Sequence, residues 1–339
     1  MNQLLMQTLR GEPTRRRPLW IMRQAGRYLP EYRALRQRHS FEALSRTPEL
    51  AAEVTLMPIE RFPLDGAIVF ADLMSPVAAL GIDVEFDPGP VTRRTIRSAE
   101  DLAALARPEP GRIAPEVIET LRRVKSRLEG RVALLGFAGA PWSVAAYLVQ
   151  GRGKPGFPAL RTLAAAHPEV LDELLARLSE LSALYLRDQI SAGADAVQIF
   201  DTWAGLLSPA TWRRRVRPHL VRLLEKVGET GAPRIVFLQG APHLAEEMKT
   251  LPAEALSFDW RVDLEQVRNL LGPEKVIQGN LDPAVLLAGP EVTHAETQKL
   301  LARVPARGHI VNLGHGITPE APLESVEALI RAVHEEESP

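Results

Sequence analysis

Cysteine is absent from the chain, which removes disulfides, thiolate nucleophiles and thiolate metal sites. An excess of charge is also missing. The 41 Lys and Arg nearly cancel 42 Asp and Glu, so no global field draws the protein to nucleic acid or an anionic membrane, and an anionic ligand must be met by local charge. No apolar run approaches the roughly 20 residues needed to cross a bilayer. Residues Met1 to Pro18 carry only short apolar pairs before Arg15-Arg16-Arg17, without the apolar core of a signal peptide. A soluble cytoplasmic protein with no nucleic-acid or membrane partner is the expectation. The histidines are scattered from His39 to His334 without paired ligand spacing, so no metal is expected. Gly151-Arg152-Gly153-Lys154-Pro155-Gly156 fits the dinucleotide pattern only formally, because it follows a helical pattern and places proline where the phosphate-binding helix should begin.

What the chain does have is regular alternation. Short β-rich apolar runs occur at Leu19 to Met22, Ala67 to Phe70, Val132 to Phe137, Ala196 to Phe200, Arg234 to Leu238, Ala255 to Asp259, Val276 to Gly279 and His309 to Leu313. Helical patterns lie between them, several opening with proline in the first turn, where its missing N–H costs nothing: Pro48 to Arg61, Pro115 to Glu129, Pro168 to Ala192, Pro209 to Glu229 and Pro319 to His334. This is the signature of βα units and a parallel sheet. Eight runs favour closure into an α/β (β/α)8 TIM barrel, with an open doubly wound sheet as the competitor. Both place ligand-binding loops at the carboxyl ends of the strands. Val84 and Phe86, then Asp87-Pro88-Gly89-Pro90, then Val91 and Thr95 read as a small hairpin inserted after the second strand. With 45% hydrophobic residues, the whole of 1–339 is expected to form one barrel domain, with 1–17 as an N-terminal extension and 335–339 as a frayed tail. The Arg15-Arg16-Arg17 run reads as a solvated patch or as a flank of the site.

The residues just beyond each strand supply the candidates for chemistry: Arg23 and Arg27 after the first, Asp72 after the second, Tyr147 beyond the third, Asp201 and Thr202 after the fourth, Asp259 at the sixth, Asn280 and Asp282 at the seventh, and His315 after the eighth. Rigid strands can aim such groups from many loops at one cavity. Arg23 and Arg27 sit in a short loop closed by Gly26 and Pro30, close enough to grip carboxylates of one ligand or to pair with acidic neighbours. Asp72 follows an apolar run and must be paired or hydrogen-bonded, either by a ligand or by holding its own loop. His315 lies between Gly314 and Gly316, where backbone without Cβ bulk would admit a ligand. A structural histidine fits as well. Tyr147, in an apolar helix, reads equally as a buried phenol with a backbone partner.

Pro18-Leu19-Trp20-Ile21-Met22-Arg23-Gln24-Ala25-Gly26-Arg27-Tyr28-Leu29-Pro30-Glu31-Tyr32 resembles the N-terminal signature of the uroporphyrinogen decarboxylase family. The resemblance continues through Phe70-Ala71-Asp72, Gly136 to Trp142, Tyr147, Gln198 to Gly205, Gln278 to Pro283 and Asn312 to Gly316, essentially the whole chain. It implies a distorted (β/α) barrel, usually a homodimer, that needs no cofactor. Such an enzyme converts uroporphyrinogen III to coproporphyrinogen III by removing four acetate carboxylates. Carried over by motif, the site is Arg23, Arg27, Asp72, Tyr147, Thr202 and His315. Thr202 stands where some members have serine. Gln239 stands where many bacterial members have lysine, and no role is assigned to it.

Within that resemblance Asp72 is expected to accept pyrrole N–H bonds and stabilise the cation formed when the ring is protonated. Arg23, Arg27 and His315 would position carboxylates, and Tyr147 and Thr202 would add neutral hydrogen bonds. Arg23 leads as proton donor, with a bound water or the substrate carboxyl as competitors. The nearest rival is a barrel-sharing methyltransferase acting on corrinoid or thiol substrates. Those relatives typically hold zinc with cysteine among its ligands, which this chain lacks. A non-catalytic tetrapyrrole carrier is the other alternative.

Overall fold

The computed structural model describes residues 4–87 and 89–337. Among the described residues nine strands form two sheets. A seven-stranded parallel sheet runs β1 (Gly66–Ile68), β4 (Ala133–Gly139), β5 (Ala196–Asp201), β6 (Arg234–Leu238), β7 (Ala255–Phe258), β8 (Val276–Gln278), β9 (His309–Ile310), and β2 (Val84–Phe86) pairs antiparallel with β3 (Pro90–Thr92). The expected hairpin after the second barrel position is therefore present, with Val84 opposite Thr92 and Phe86 opposite Pro90. Strands β4 to β7 are almost wholly buried, as runs covered on both faces must be.

The first expected strand, Leu19 to Met22, is not one. Only Leu19 bridges in parallel to Val311. Val311 N donates to Pro18 O at 2.9 Å and Asp65 N to Leu19 O at 2.8 Å, so this segment fills the gap between β9 and β1 without forming a ladder. The reason is competition from side chains. Ile21 N donates to Gln24 Oε1 at 3.0 Å and Met22 N to Asn312 Oδ1 at 2.9 Å, so side-chain amides take donors that a strand would use. The barrel is thus a curled sheet of seven regular strands whose eighth position is irregular. Across its interior Trp20 Nε1 donates to Gln278 Oε1 at 2.9 Å, and Gln278 Nε2 donates to Gln198 Oε1 at 3.0 Å and Ser257 Oγ at 2.9 Å. The Gln278 amide is tolerable there because Trp20, Gln198 and Ser257 satisfy it.

Two helix expectations also need correction. Pro209 to Glu229 is interrupted by a π-helical turn at Trp212–Val216 before Arg217–Gly228. Pro218 offers no N–H and its ring would crowd the carbonyl four residues back, which forces the wider turn upstream. The last helix begins at Leu323 after Pro322, so Pro319 stays in the loop.

Within the expected N-terminal extension 1–17, the described residues from Leu4 on pack against the barrel. Helix Leu4–Leu9 buries Leu4, Leu5 and Leu9. A Cβ at Gly66 would lie 2.9 Å from Leu5 Cδ2 and 3.3 Å from Trp20 Cβ, so the glycine admits both at the amino end of β1. Arg16 is buried against Asp65 through bonds of 2.6 and 2.8 Å, and Arg17 donates to the carbonyls of Leu301 and Val304 and pairs with Glu336 at 3.0 Å. These contacts lie at the amino ends of the strands, so Arg16 and Arg17 do not flank a site at the carboxyl ends. Of the expected tail 335–339, Glu335–Glu337 form a 3-10 turn and Glu335 pairs with His294 at 2.9 Å. Residues 338 and 339 lie outside the described residues.

Candidate active site

Two adjoining cavities open at the carboxyl ends of the strands, of about 430 and 550 Å³. Arg23, Leu73, Thr202 and His315 line both, so they form the waist of one cleft with two lobes. Arg27 and Asp72 line the first lobe and Tyr147 the second. All six carried-over residues therefore meet in one place.

The first lobe is built on phenylalanine. Six of the nine in the chain line it. Phe137, Phe200 and Phe237 come from β4, β5 and β6 and stack edge to face at 5.7 and 6.0 Å, with the His315 ring 6.3 Å beyond Phe237. Parallel register sets Phe200 beside Phe237. A second chain runs Tyr32, Phe70, Phe41, Phe86 at 5.8, 5.7 and 5.0 Å. Phe86 belongs to the hairpin, whose Gly89 and Pro90 also line the lobe. The insertion is therefore one wall of the cavity.

Arg23 and Arg27 occupy the loop that follows the irregular segment. Gln24 N donates to Ile21 O at 2.9 Å, and Arg23 itself has φ 63°, a left-handed conformation that costs a non-glycine residue about 1–2 kcal/mol. Arg33 holds the loop from outside, donating to Arg27 O at 3.1 Å and Tyr28 O at 2.9 Å. Burial lowers the Arg23 pKa, the neighbouring Arg27 lowers it further, and Asp72 opposes both.

Asp72 is half-buried beyond β1. Its Oδ1 accepts Met74 N at 2.8 Å, while its backbone N donates to Ser75 Oγ at 3.2 Å. One oxygen thus holds the loop, and the carboxylate also faces the cavity. Both sequence-level readings apply to it. Burial pushes its pKa up to about 6 against the Met74 bond and the Arg23 charge.

His315 lines the waist, and burial followed by Arg23 pushes its pKa down to about 4, so at neutral pH it is an uncharged donor or acceptor. At the flanking glycines, where the sequence suggests room for a ligand, the protein's own atoms fill the space a side chain would take. A Cβ at Gly314 would sit 2.5 Å from Trp260 N, and one at Gly316 2.3 Å from Arg23 Cδ. They make room for the protein itself. Tyr147, half-buried on helix Pro141–Gln150, packs against Phe157 at 5.5 Å and Trp203 at 6.4 Å.

The other strand-end polar residues turn to structure. Asp201 is fully buried, accepts Ser143 Oγ at 2.6 Å, and has its pKa pushed up to about 7 by burial. Asp259 accepts Gly240 N and Arg261. Asn280 donates to the carbonyls of Asp259 and Val262, and Asp282 caps the turn at Pro283. Sequence reasoning missed Arg36, Arg261 and the phenylalanine floor, although Phe70, Phe137 and Phe200 each close an apolar run. Among the described residues no three His, Asp or Glu side chains gather as a metal cage, and no helix is long and apolar enough to cross a membrane.

The cleft is thus an apolar basin rimmed by guanidinium groups and one half-buried carboxylate, suited to a largely apolar, anionic, N–H-bearing ligand. Comparison with known proteins agrees. The fold is shared with a methyltransferase from Methanosarcina mazei (TM-score 0.82, 22% identity, 98% of each chain) and with a B12-independent methionine synthase from Shewanella sp. (TM-score 0.57, 12% identity, 95% of this chain and 96% of the other). Uroporphyrinogen decarboxylases of Syntrophotalea carbinolica and Geobacter metallireducens are 43% and 41% identical over 96% and 98% of this chain, and 95% and 98% of theirs. The family model for uroporphyrinogen decarboxylase matches residues 1–336, and the chain belongs to that family.

Proposed function

We infer that this chain decarboxylates uroporphyrinogen III to coproporphyrinogen III, releasing the four acetate carboxyl groups as CO2. The observation that carries the reading is Asp72: a half-buried carboxylate with one oxygen bound to its own loop, facing a cavity floored by phenylalanine and rimmed by Arg23 and Arg27.

A pyrrole acetate has no carbonyl to accept the electrons left behind by CO2. Protonating the ring carbon creates that sink, so the substrate does for itself what a cofactor does elsewhere. The bond to the carboxyl carbon then breaks, its electrons neutralise the ring cation, and an exocyclic methylene forms. A second proton on the methylene and loss of the first from the ring leave a methyl group. Each cycle replaces CO2 by a proton.

Asp72 accepts the pyrrole N–H groups and stabilises the cation, in a site where water no longer screens the charge. Arg23 and Arg27 hold carboxylates, and neutral His315, Tyr147 and Thr202 add hydrogen bonds that fix the ring. The lowered pKa of Arg23 supports it as the donor of the first proton, since arginine ordinarily gives up a proton only reluctantly.

The decisive experiment is anaerobic incubation with reduced uroporphyrinogen III, followed by oxidation and separation of the porphyrins by carboxylate number. Stepwise conversion to the tetracarboxylate is expected, and none sinks the reading. Prior dialysis against a chelator should leave the rate intact. The same reading makes the protein a cytoplasmic homodimer. Light scattering should give about twice the 37.4 kDa chain mass, and a monomer at micromolar concentration would overturn it.

A further inference from the structure

We propose that Arg261 is a substrate-binding residue that holds a peripheral carboxylate of the tetrapyrrole in the second lobe of the cleft. The inference rests on the tetrapyrrole reading above. This lobe lies beyond the waist, away from Arg27. Among the described residues lining it, Arg23 and Arg261 are the permanent cations and no carboxylate is present. His315, at the waist, is uncharged at neutral pH. A ligand carrying carboxylates around its whole rim cannot fill both lobes with cations on one side only, because an unpaired carboxylate removed from water is costly.

The guanidinium is prepared for this task. Its Nη1 donates to Asp259 Oδ2 at 2.6 Å and its backbone N to Asp259 Oδ1 at 3.0 Å. Its carbon stands 4.3 Å from the Trp260 ring centroid. Asp259 is itself buried and fixed by Gly240 N. One edge of the planar fork is thereby anchored, and stacking on the indole sets its plane. Yet 45% of the side chain stays exposed at the cavity wall. A guanidinium held in one orientation loses less rotamer freedom when it binds, which suits it to bidentate capture of a carboxylate. The role is binding and orientation; nothing in the geometry gives Arg261 a part in proton transfer.

The test compares Arg261→Gln and Arg261→Lys with the unaltered enzyme, measuring KM and kcat for uroporphyrinogen III at two salt concentrations. Arg261→Gln should raise KM about tenfold, the scale of one charge-assisted bond. Its kcat should stay within about threefold, because a contact made equally in ground and transition states leaves kcat alone. Arg261→Lys keeps the charge while losing the fork and the tie to Asp259, and should recover only part of the KM. The difference between Gln and the unaltered enzyme should shrink as salt rises. Unchanged KM in Arg261→Gln overturns the proposal. So does equal damage in both variants with a lowered melting temperature, which would mark Arg261 as a brace for the Trp260 loop. If the unaltered enzyme fails to turn over, it is the decarboxylase reading that falls.

Discussion

Gly316 owes its missing side chain to Arg23: a Cβ there would lie 2.3 Å from Arg23 Cδ and 2.7 Å from its Cγ. The glycine leaves that space to the guanidinium stem, while the left-handed backbone at Arg23 accompanies its placement at the waist of the cleft. Gly316→Ala should therefore push Arg23 out of place. Only a flexible side chain must give way, so the melting temperature should move by a few degrees at most. Turnover should drop at least tenfold. Near-normal turnover in Gly316→Ala would show that the position of Arg23 is not critical.

The pH profile distinguishes the two titrating groups that face the cavity. In the proposed mechanism Asp72 acts ionised, and its pKa is pushed up to about 6. The value of kcat/KM should then fall about tenfold per pH unit below roughly pH 6, reporting the free enzyme. His315, pushed down to about 4, stays neutral across the range from pH 5 to 8 and contributes no limb there. Its Asn variant, which keeps a donor, should lose part of the rate and retain the acid limb. A limb that vanishes in His315→Asn would transfer the titration to the histidine.

The Thr202 hydroxyl can be tested alone, since valine has nearly the same shape. One neutral hydrogen bond contributes about 0.5–1.5 kcal/mol, so Thr202→Val should lower kcat/KM roughly two- to tenfold, and Thr202→Ser should stay close to the unaltered enzyme. Equal activity in all three would remove the hydroxyl from the site.

Most of the barrel was legible because buried parallel strands announce themselves as apolar runs bounded by turns, and β6 matches its expected span residue for residue. The segment after Pro18 misled because its apolar residues are equally buried, while its backbone donors are taken by Gln24 and Asn312, pairings no periodicity reveals. The site was legible through a long motif, whereas its walls were not. Phe41 and Phe86 join the cavity only because the hairpin folds back across it. Arg261 acquires meaning from Asp259 and Trp260 two and one positions earlier, yet nothing in that short run tells which cavity it faces. Asp201 reads like Asp72 in sequence, as a carboxylate at a strand end. Ser143, distant in the chain, claims it.

Asp72 should show the clearest trade of stability for function. A carboxyl whose pKa rises on folding, from 3.8 to about 6, is no burden below pH 3.8, where folded and unfolded chains are both protonated. As pH rises, the unfolded chain ionises first, so the folded state loses stability progressively up to about pH 6 and carries the full cost above it. Two pKa units set that cost at up to about 3 kcal/mol. Asp72→Asn keeps an acceptor for Met74 N and has no charge to bury, so its melting temperature should exceed that of the unaltered protein at pH 7 and match it near pH 3. Catalysis should move the other way. Opposite unit charges about 4 Å apart at an effective dielectric near 20 attract by roughly 4 kcal/mol, equivalent to about three powers of ten in rate. The amide has a single oxygen, and with that oxygen on Met74 N its NH2 faces the cavity and cannot accept pyrrole N–H bonds, so single-turnover kinetics should show weaker substrate capture together with a slower chemical step. A folded Asp72→Asn that turns over at a near-normal rate would remove the carboxylate from the mechanism, and one that is destabilised at pH 7 would show that its charge is compensated rather than strained.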